Sequence, residues 1–302
     1  MRTSTLSAVL AVSALALTAC TAPDATALPP TQPTTTWAAT APPTTSPASP
    51  PPTTSAPPAS PVDPPAVVLP PAHAGFDYQI GGPYPPAEGV SVVTRDHQAP
   101  PAPGRYSICY LNAFQVQPGA EAEWDADLLL RDAAGQVVYD RDWDEALLDI
   151  RTTDKRDRIA RKVGDWIDGC AAKGYRAVEP DNYDSYTRAP QGLLTSEQAK
   201  ALHTLLSARA HAKGLAIGQK NTVELAGDRQ AVGVDFAIAE ECGQHEECGE
   251  YVEAFGDRVL VIEYTDEGLA TACAGWGTRL SIVRRDVNVL PADNPAHVRR
   301  TC

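Results

Sequence analysis

The sequence predicts an α/β fold, a (β/α)8 (TIM) barrel that forms a single domain over residues 75–302. Eight short apolar segments in this region are typical of strands, and amphipathic helical segments separate several of them. Nearly continuous apolar strands are typical of a parallel sheet that is covered on both faces. Eight such strands favour a barrel. No glycine-rich phosphate loop supports the alternative, a doubly wound open sheet.

The eight predicted strands follow one another at intervals along the chain. They occupy residues 76–80, 90–94, 105–111, 176–180, 215–219, 234–239, 258–264 and 279–285. Two helices are predicted between them, over 154–173 and 196–213, because apolar residues recur there at helical spacing. Thr195 and Gln198 form a capping-box pattern, and Gly174 and Gly214 fit helix C-termini.

The N-terminal residues have a different composition. Residues 1–19 combine Arg2 with an apolar run, which is typical of a secretory signal peptide. The end of this run, Leu17 to Cys20, resembles a bacterial lipobox and predicts cleavage before Cys20 and its lipidation. A plain signal peptide with an incidental cysteine is the alternative. Residues 20–74 hold more than half of the chain's 28 prolines and predict a disordered Pro/Thr/Ser/Ala-rich linker.

Charge and cysteine content restrict the partners and the compartment. The net charge of −13 argues against nucleic acid as a partner and favours neutral or cationic ligands. Six cysteines lie between Cys109 and Cys302, and an even number in an exported protein predicts up to three disulfides. We expect Cys242 to pair with Cys248, and the remaining pairing stays open. We therefore expect an extracytoplasmic, lipid-anchored protein, monomeric and without a cofactor.

Polar residues collect at the predicted carboxyl ends of the strands, where barrel enzymes carry their chemistry. The fourth predicted strand leads into Glu179 and Asp181, and the sixth leads into Glu240 and Glu241. Two acids on one rim can flank a sugar ring, one protonating the leaving oxygen and the other acting as nucleophile or base. Each acidic pair alone is also compatible with a solvated turn.

A zinc site is a competing interpretation of residues 242–248. Cys242, His245 and Cys248 have a spacing that suits zinc. In an exported protein the two cysteines are more commonly oxidised to a disulfide. We therefore expect no metal.

Several motifs together resemble glycoside hydrolase family 114, the endo-α-1,4-polygalactosaminidases and their relatives, which are (β/α)8 barrels. The motifs are FDYQIGG (76–82), WDEALLDIR (143–151), GYRAVEPDNYDSY (174–186), IGQKN (217–221) and VIEYTD (261–266). The resemblance implies that Asp181 and Glu240 are catalytic, with Glu179 and Glu241 as alternates. It also implies that a further set lines or braces the cleft: Asp77, Gln79, Tyr110, Asp149, Arg151, Asn182, Asp184, Lys220, Asn221 and Tyr264.

The resemblance implies an endo-glycosidase that cleaves a galactosamine-containing polysaccharide. Such a polymer is cationic when it is not acetylated, and the acidic protein would attract it. Five tyrosines are candidates for stacking on sugar rings: Tyr78, Tyr84, Tyr183, Tyr186 and Tyr264. A non-catalytic barrel that binds cell-surface glycans is the alternative function.

Overall fold

The computed structural model describes residues 66–302, which contain a nine-stranded sheet and a separate three-stranded sheet. The strands are β1 (Gly75–Gln79), β2 (Val90–Asp96), β3 (Tyr106–Asn112), β4 (Gln115–Val116), β5 (Tyr139–Asp140), β6 (Glu145–Leu147), β7 (Ala177–Asp181), β8 (Ala216–Lys220), β9 (Phe236–Glu240), β10 (Val259–Glu263), β11 (Ser281–Arg285) and β12 (Arg299–Arg300). The helices are α1 (Thr153–Lys173), α2 (Ser185–Arg188), α3 (Ser196–Ala212), α4 (Arg229–Val232), α5 (Cys248–Phe255) and α6 (Asp266–Trp276).

The large sheet confirms the predicted barrel. Its order is β1-β2-β3-β7-β8-β9-β10-β11-β12, and all neighbours are parallel except the short final strand, β12. β1 lies against β11, so the eight parallel strands nearly close on themselves. All eight predicted strands are present. In the described chain, residues 80–89 and 97–105 make the first two crossovers as loops without a helix, a departure from the regular alternation.

Both predicted helices are present with their caps. Thr195 accepts a hydrogen bond from the Gln198 backbone, and the Gln198 side chain accepts one from the Thr195 backbone. α1 ends at Gly174, whose φ of 92° is readily adopted by glycine. No helix in the described part of the chain is long and apolar enough to span a membrane.

The barrel interior is filled by alternate residues of its strands. Phe236 and Ile238 of β9 crowd the neighbouring β8, where a Cβ on Gly218 would lie 2.4 Å from Ile238 Cδ1. A larger residue at that position would have to displace the side chains of Ile238 and Phe236. At the other end, Val67 and Leu69 pack against the interior cluster, and the Tyr106 hydroxyl donates to the Val68 carbonyl. The chain segment before β1 therefore covers the amino ends of the strands.

Residues 113–150 form an insertion between β3 and α1. Its short strands pair antiparallel in the order β4-β6-β5. Ala146 and Leu147 of β6 are fully buried in the larger hydrophobic cluster. The insertion is thus anchored to the barrel and places the turn between β5 and β6 beside the carboxyl ends of the strands.

The six cysteines of the described region form three disulfides. The pairs are Cys109–Cys170, Cys242–Cys248 and Cys273–Cys302. The expected local pair is present, and disulfides of this kind are typical of proteins outside the cytoplasm. The predicted signal peptide, the lipidation of Cys20 and residues 20–65 of the predicted linker lie outside the described residues.

Candidate active site

Polar side chains replace apolar ones as three adjacent strands rise toward their carboxyl ends. Successive residues of a strand face opposite sides, so residues two apart share a face. Ala177, Ala216 and Ile238 belong to the barrel-interior cluster. Counting in twos from them reaches Asp181 on β7, Lys220 on β8 and Glu240 on β9. The interior of the barrel therefore opens into a group of charged residues.

Lys220 lies at the centre of this group, on the strand between the two acids. Its Nζ is 3.3 Å from Asp181 Oδ1 and 3.3 Å from Glu240 Oε2. Beneath them, Glu179 Oε1 also lies 3.3 Å from Nζ, and the Tyr78 hydroxyl lies 3.1 Å from it. One ammonium group therefore holds three carboxylates in place.

Burial makes the lowest of the three carboxylates difficult to ionise. Glu179 is fully buried, and this desolvation raises its pKa to about 7, although the charge of Lys220 opposes the rise. Its Oε1 accepts a hydrogen bond of 2.8 Å from Tyr78, while Oε2 has no partner among the described residues. The three carboxylates in turn keep the pKa of Lys220 well above its usual value, against the effect of its burial. Lys220 is therefore positively charged at neutral pH.

Glu240 is oriented by donors from the neighbouring strands. Its Oε1 accepts a hydrogen bond of 2.5 Å from Tyr264, and its Oε2 accepts one of 2.9 Å from the Asn221 amide. The Asn221 side-chain oxygen accepts from the Glu240 backbone N–H at 2.9 Å. These contacts fix the carboxylate, which is only partly exposed.

The chain turns sharply directly after each of these three strands. Asn182, Asn221 and Glu241 have φ of 64°, 49° and 59°, in the left-handed region that asparagine tolerates better than most residues. Such strain is common at functional sites. Each turn leaves the last residue of its strand facing the barrel mouth. In two of the three turns the asparagine side chain also donates a hydrogen bond to a carboxylate, Asn182 to Glu145 and Asn221 to Glu240.

A cavity of about 310 Å³ opens above Lys220 at the carboxyl ends of the strands. Six residues predicted from sequence line it: Tyr110, Asp181, Asn182, Asn221, Glu240 and Tyr264. Ile80, Gln117, Trp143, Glu145, Arg188 and residues 287–289 contribute to its wall. The cavity thus combines paired carboxylates with aromatic and amide groups, a lining suited to a sugar.

Comparisons with known proteins address the family and the fold of this chain. The model of glycoside-hydrolase family GH114 matches residues 56–302. The chain belongs to glycoside hydrolase family 114. It is similar to the solved structure of Ega3 from Aspergillus fumigatus in complex with galactosamine, at 21% identity and a TM-score of 0.63, covering 78% of this chain and 98% of that chain. It is also similar to the glycoside hydrolase domain of PelA from Pseudomonas aeruginosa, at 15% identity and a TM-score of 0.49, covering 74% and 96%. No curated protein matches.

In this family 114 chain, several residues expected at the cleft lie elsewhere. Asp77 and Gln79 are buried in a network in which Tyr84 donates to Asp77 at 3.0 Å and Arg95 donates to Gln79 at 3.0 Å. They brace the first two strands and do not line the cavity.

A second group of expected residues stabilises the start of α1 and the short helix α2. Asp149 accepts two hydrogen bonds from Arg151, at 2.8 and 2.7 Å, and one from Lys155 at 2.6 Å. These contacts outweigh the effect of burial and lower the pKa of Asp149 to about 2. Asp184 pairs with Arg188 at 2.9 Å. Neither acid reaches the cavity.

The two alternate acids, Glu179 and Glu241, and most of the candidate tyrosines also lie outside the cavity lining. Glu179 lies below the cavity, and Glu241 follows Glu240 with its side chain outside the lining set. Tyr78 and Tyr183 are completely or almost completely buried, so stacking on a sugar is excluded for both. Among the five candidate tyrosines, only Tyr264 lines the cavity.

Sequence reasoning missed Trp143 and Glu145, both of which line the cavity. The Glu145 carboxylate accepts hydrogen bonds from Asn112 at 2.8 Å, Gln117 at 2.9 Å and Asn182 at 3.1 Å. The WDEALLDIR motif contains both residues and was the available signal. The sequence interpretation took Asp149 and Arg151 from that motif instead.

The sulfur atoms of the alternative zinc site are joined to each other. Cys242 and Cys248 form a disulfide and therefore offer no thiolate ligands in this structure. Glu263 lies beside them, with Oε1 accepting from the Gly243 backbone at 2.7 Å. The disulfide and the Glu263 carboxylate together stabilise the turn that follows Glu240.

Proposed function

We propose that this protein is an endo-glycosidase that hydrolyses an α-1,4-linked, galactosamine-containing polysaccharide with a pair of carboxylates. The observation that supports it most directly is the placement of Asp181 and Glu240 in one cavity, on the two strands that flank Lys220. One acid protonates the glycosidic oxygen while the other attacks the sugar carbon or activates water.

The spacing of the two acids is compatible with hydrolysis across one sugar ring. The oxygens of Asp181 and Glu240 that contact Lys220 each lie 3.3 Å from its Nζ, so they are at most twice that distance apart. This upper limit includes the ~5–5.5 Å separation of retaining glycosidases and reaches the lower end of the ~6.5–9.5 Å range of inverting ones, which need room for water between the acids.

The substrate class rests on charge and on one structural relative. A net charge of −13 and an acid-lined cavity favour a cationic sugar polymer. Ega3, which shares the fold, was solved with galactosamine bound. These two observations support a polymer that contains free amino groups.

The carboxylate pair is tested by Asp181→Asn and Glu240→Gln. Each variant keeps the side-chain shape but loses the ionisable group, and we expect the rate of polymer cleavage to fall at least ~10²–10⁴-fold. Glu241→Gln is the matched control and should retain most activity. Reducing-end release from a galactosamine polymer measures the rate, and circular dichroism verifies the fold.

Two outcomes would contradict the proposal. A folded Asp181→Asn, Glu240→Gln double variant that cleaves at the wild-type rate would exclude this pair. Wild-type protein that binds the polymer without releasing any product would favour the glycan-binding barrel instead.

We also propose that the protein is held at the cell membrane through a lipid on Cys20. The support is the lipobox-like sequence from Leu17 to Cys20. Cys20→Ser should release the protein from the membrane fraction or stop its maturation. Mature wild-type protein without lipid in the soluble fraction would contradict this.

A further inference from the structure

The inserted three-stranded sheet brings an aromatic residue and an acid to the cavity. Trp143 lies in the turn between β5 and β6 and Glu145 is the first residue of β6. Trp143 is 51% exposed, which is unusual for so large an apolar side chain, and it lines the cavity wall together with Glu145. An exposed indole in a concave, polar site is suited to contact with the apolar face of a ring.

Glu145 has fixed hydrogen bonds but no cationic partner. Three amide groups, from Asn112, Gln117 and Asn182, donate to its two oxygens. Arg188 is the cation of the same cavity wall, and it pairs with Asp140 at 2.5 Å and with Asp184 at 2.9 Å. No ion pair to Glu145 occurs among residues 66–302. The Glu145 carboxyl group is therefore held in place by amides and has no cationic partner among these residues.

The surroundings of Glu145 make a cation favourable at this position. Glu145 is 8% exposed, and its burial is the main cause that raises its pKa to about 7, with Asp181 and Asp140 adding to the rise. The amides of Asn112 and Asn182 act in the opposite direction. A ligand ammonium group beside Glu145 would offset the cost of ionising this buried acid.

We propose that Trp143 and Glu145 form a subsite for a hexosamine unit with a free amino group. The indole packs against the sugar ring, and the Glu145 carboxylate accepts a hydrogen bond from the sugar ammonium. An N-acetyl group removes this positive charge, so the subsite selects de-N-acetylated units within the polymer. This inference rests on the proposed function, because it assigns the sugar that the same cavity receives.

The test measures binding rather than cleavage, in a Glu240→Gln background in which we expect turnover to be slowed at least ~10²–10⁴-fold. Isothermal titration calorimetry compares two probes, a galactosamine tetrasaccharide and its fully N-acetylated counterpart. We expect the background protein to prefer the free-amine probe. Adding Glu145→Gln should weaken binding of that probe about 10- to 100-fold, since a hydrogen bond between charged groups is lost. Binding of the acetylated probe should change less than about threefold.

Two further variants separate the parts of the subsite. Trp143→Ala should weaken both probes by a similar factor, about tenfold, because the indole contacts the ring and not the amine. Glu241→Gln removes one charge near the site without lining the cavity, and it should leave the preference between the probes unchanged.

Defined results would overturn the inference. An equal loss for both probes on Glu145→Gln would assign Glu145 a purely structural role. If the background protein shows no preference for the free-amine probe, selection at this subsite is excluded. If the Glu145 variant fails to fold, the Trp143→Ala variant decides instead, and unchanged binding of both probes to it would overturn the inference. Cleavage of the probes by the wild-type protein tests the proposed function, whereas the binding measurements test the subsite. A failure of one proposal can therefore be distinguished from a failure of the other.

Discussion

Replacing Lys220 by methionine tests whether one ammonium group holds the base of the site together. Lys220 is 1% exposed, and its Nζ lies 3.3 Å from each of three carboxylates. Methionine has a similar length but leaves Glu179 buried without its counter-charge. Breaking a buried ion pair by removal of one partner costs about 3–5 kcal/mol of the free energy of unfolding. We expect the midpoint of urea unfolding to fall by about 1–2 M.

The loss should depend on Glu179. Lys220 lowers the pKa of Glu179, so removal of Lys220 raises that pKa further and leaves the buried acid harder to ionise. In the Lys220→Met background, Glu179→Gln should therefore restore at least about 1 kcal/mol, a coupling typical of groups in direct contact. Urea titrations of the two single variants and the double variant give the coupling energy.

A surface lysine provides the control. Lys200 pairs with Glu197 at 2.5 Å and with Asp228 at 2.8 Å, but both partners are well exposed. Lys200→Met should cost less than about 1 kcal/mol. The reasoning is refuted if Lys220→Met unfolds at the same urea concentration as Lys200→Met.

Two other predictions follow from groups already described. Because burial raises the pKa of Glu179 from 4.5 to about 7, the stability that its protonated form contributes is complete below pH 4.5 and is lost as the pH rises to about 7. The free energy of unfolding of the wild type should therefore fall across this range relative to that of Glu179→Gln, and parallel curves would contradict the assignment. Removing Cys109–Cys170, which spans 61 positions, should cost about 4 kcal/mol, whereas removing Cys242–Cys248, which spans six, should cost about 2 kcal/mol. Chemical unfolding of the paired Cys→Ser variants measures both values, and an inverted order would argue against a loop-entropy origin.

The barrel could be predicted because its strands are short apolar runs with polar residues at their carboxyl ends. The alternation of side chains along a strand carried more information than the sequence interpretation used. Glu240 lies an even number of residues beyond Phe236 and Ile238 of the interior cluster, whereas Glu241 does not. The same counting places Asp77 and Gln79 on the face opposite to Phe76 and Tyr78, away from the interior.

The two cavity residues that the insertion supplies could not be predicted from local sequence patterns. Strands β4, β5 and β6 have only two or three residues each, too few for a periodic signal. The position of Trp143 and Glu145 depends on how residues 113–150 fold back against the barrel. The Glu145 carboxylate accepts hydrogen bonds from the amides of Asn112, Gln117 and Asn182, and each of these donors lies 28 or more positions from Glu145 in the sequence. Such contacts are determined by tertiary packing alone.

The segment before β1 determines which way the cavity faces when the protein is attached to a support. Val68 and Ala74 contact Tyr106 and Ser281, each the first residue of its strand, so this segment joins the barrel at the end opposite to the cavity. A resin or a fluorophore joined directly to the start of this segment would therefore be attached at the end of the barrel away from the cavity. A long polymer could then reach the mouth of the cavity without meeting the attachment point, so a protein that begins at this segment is suited to immobilisation on a surface.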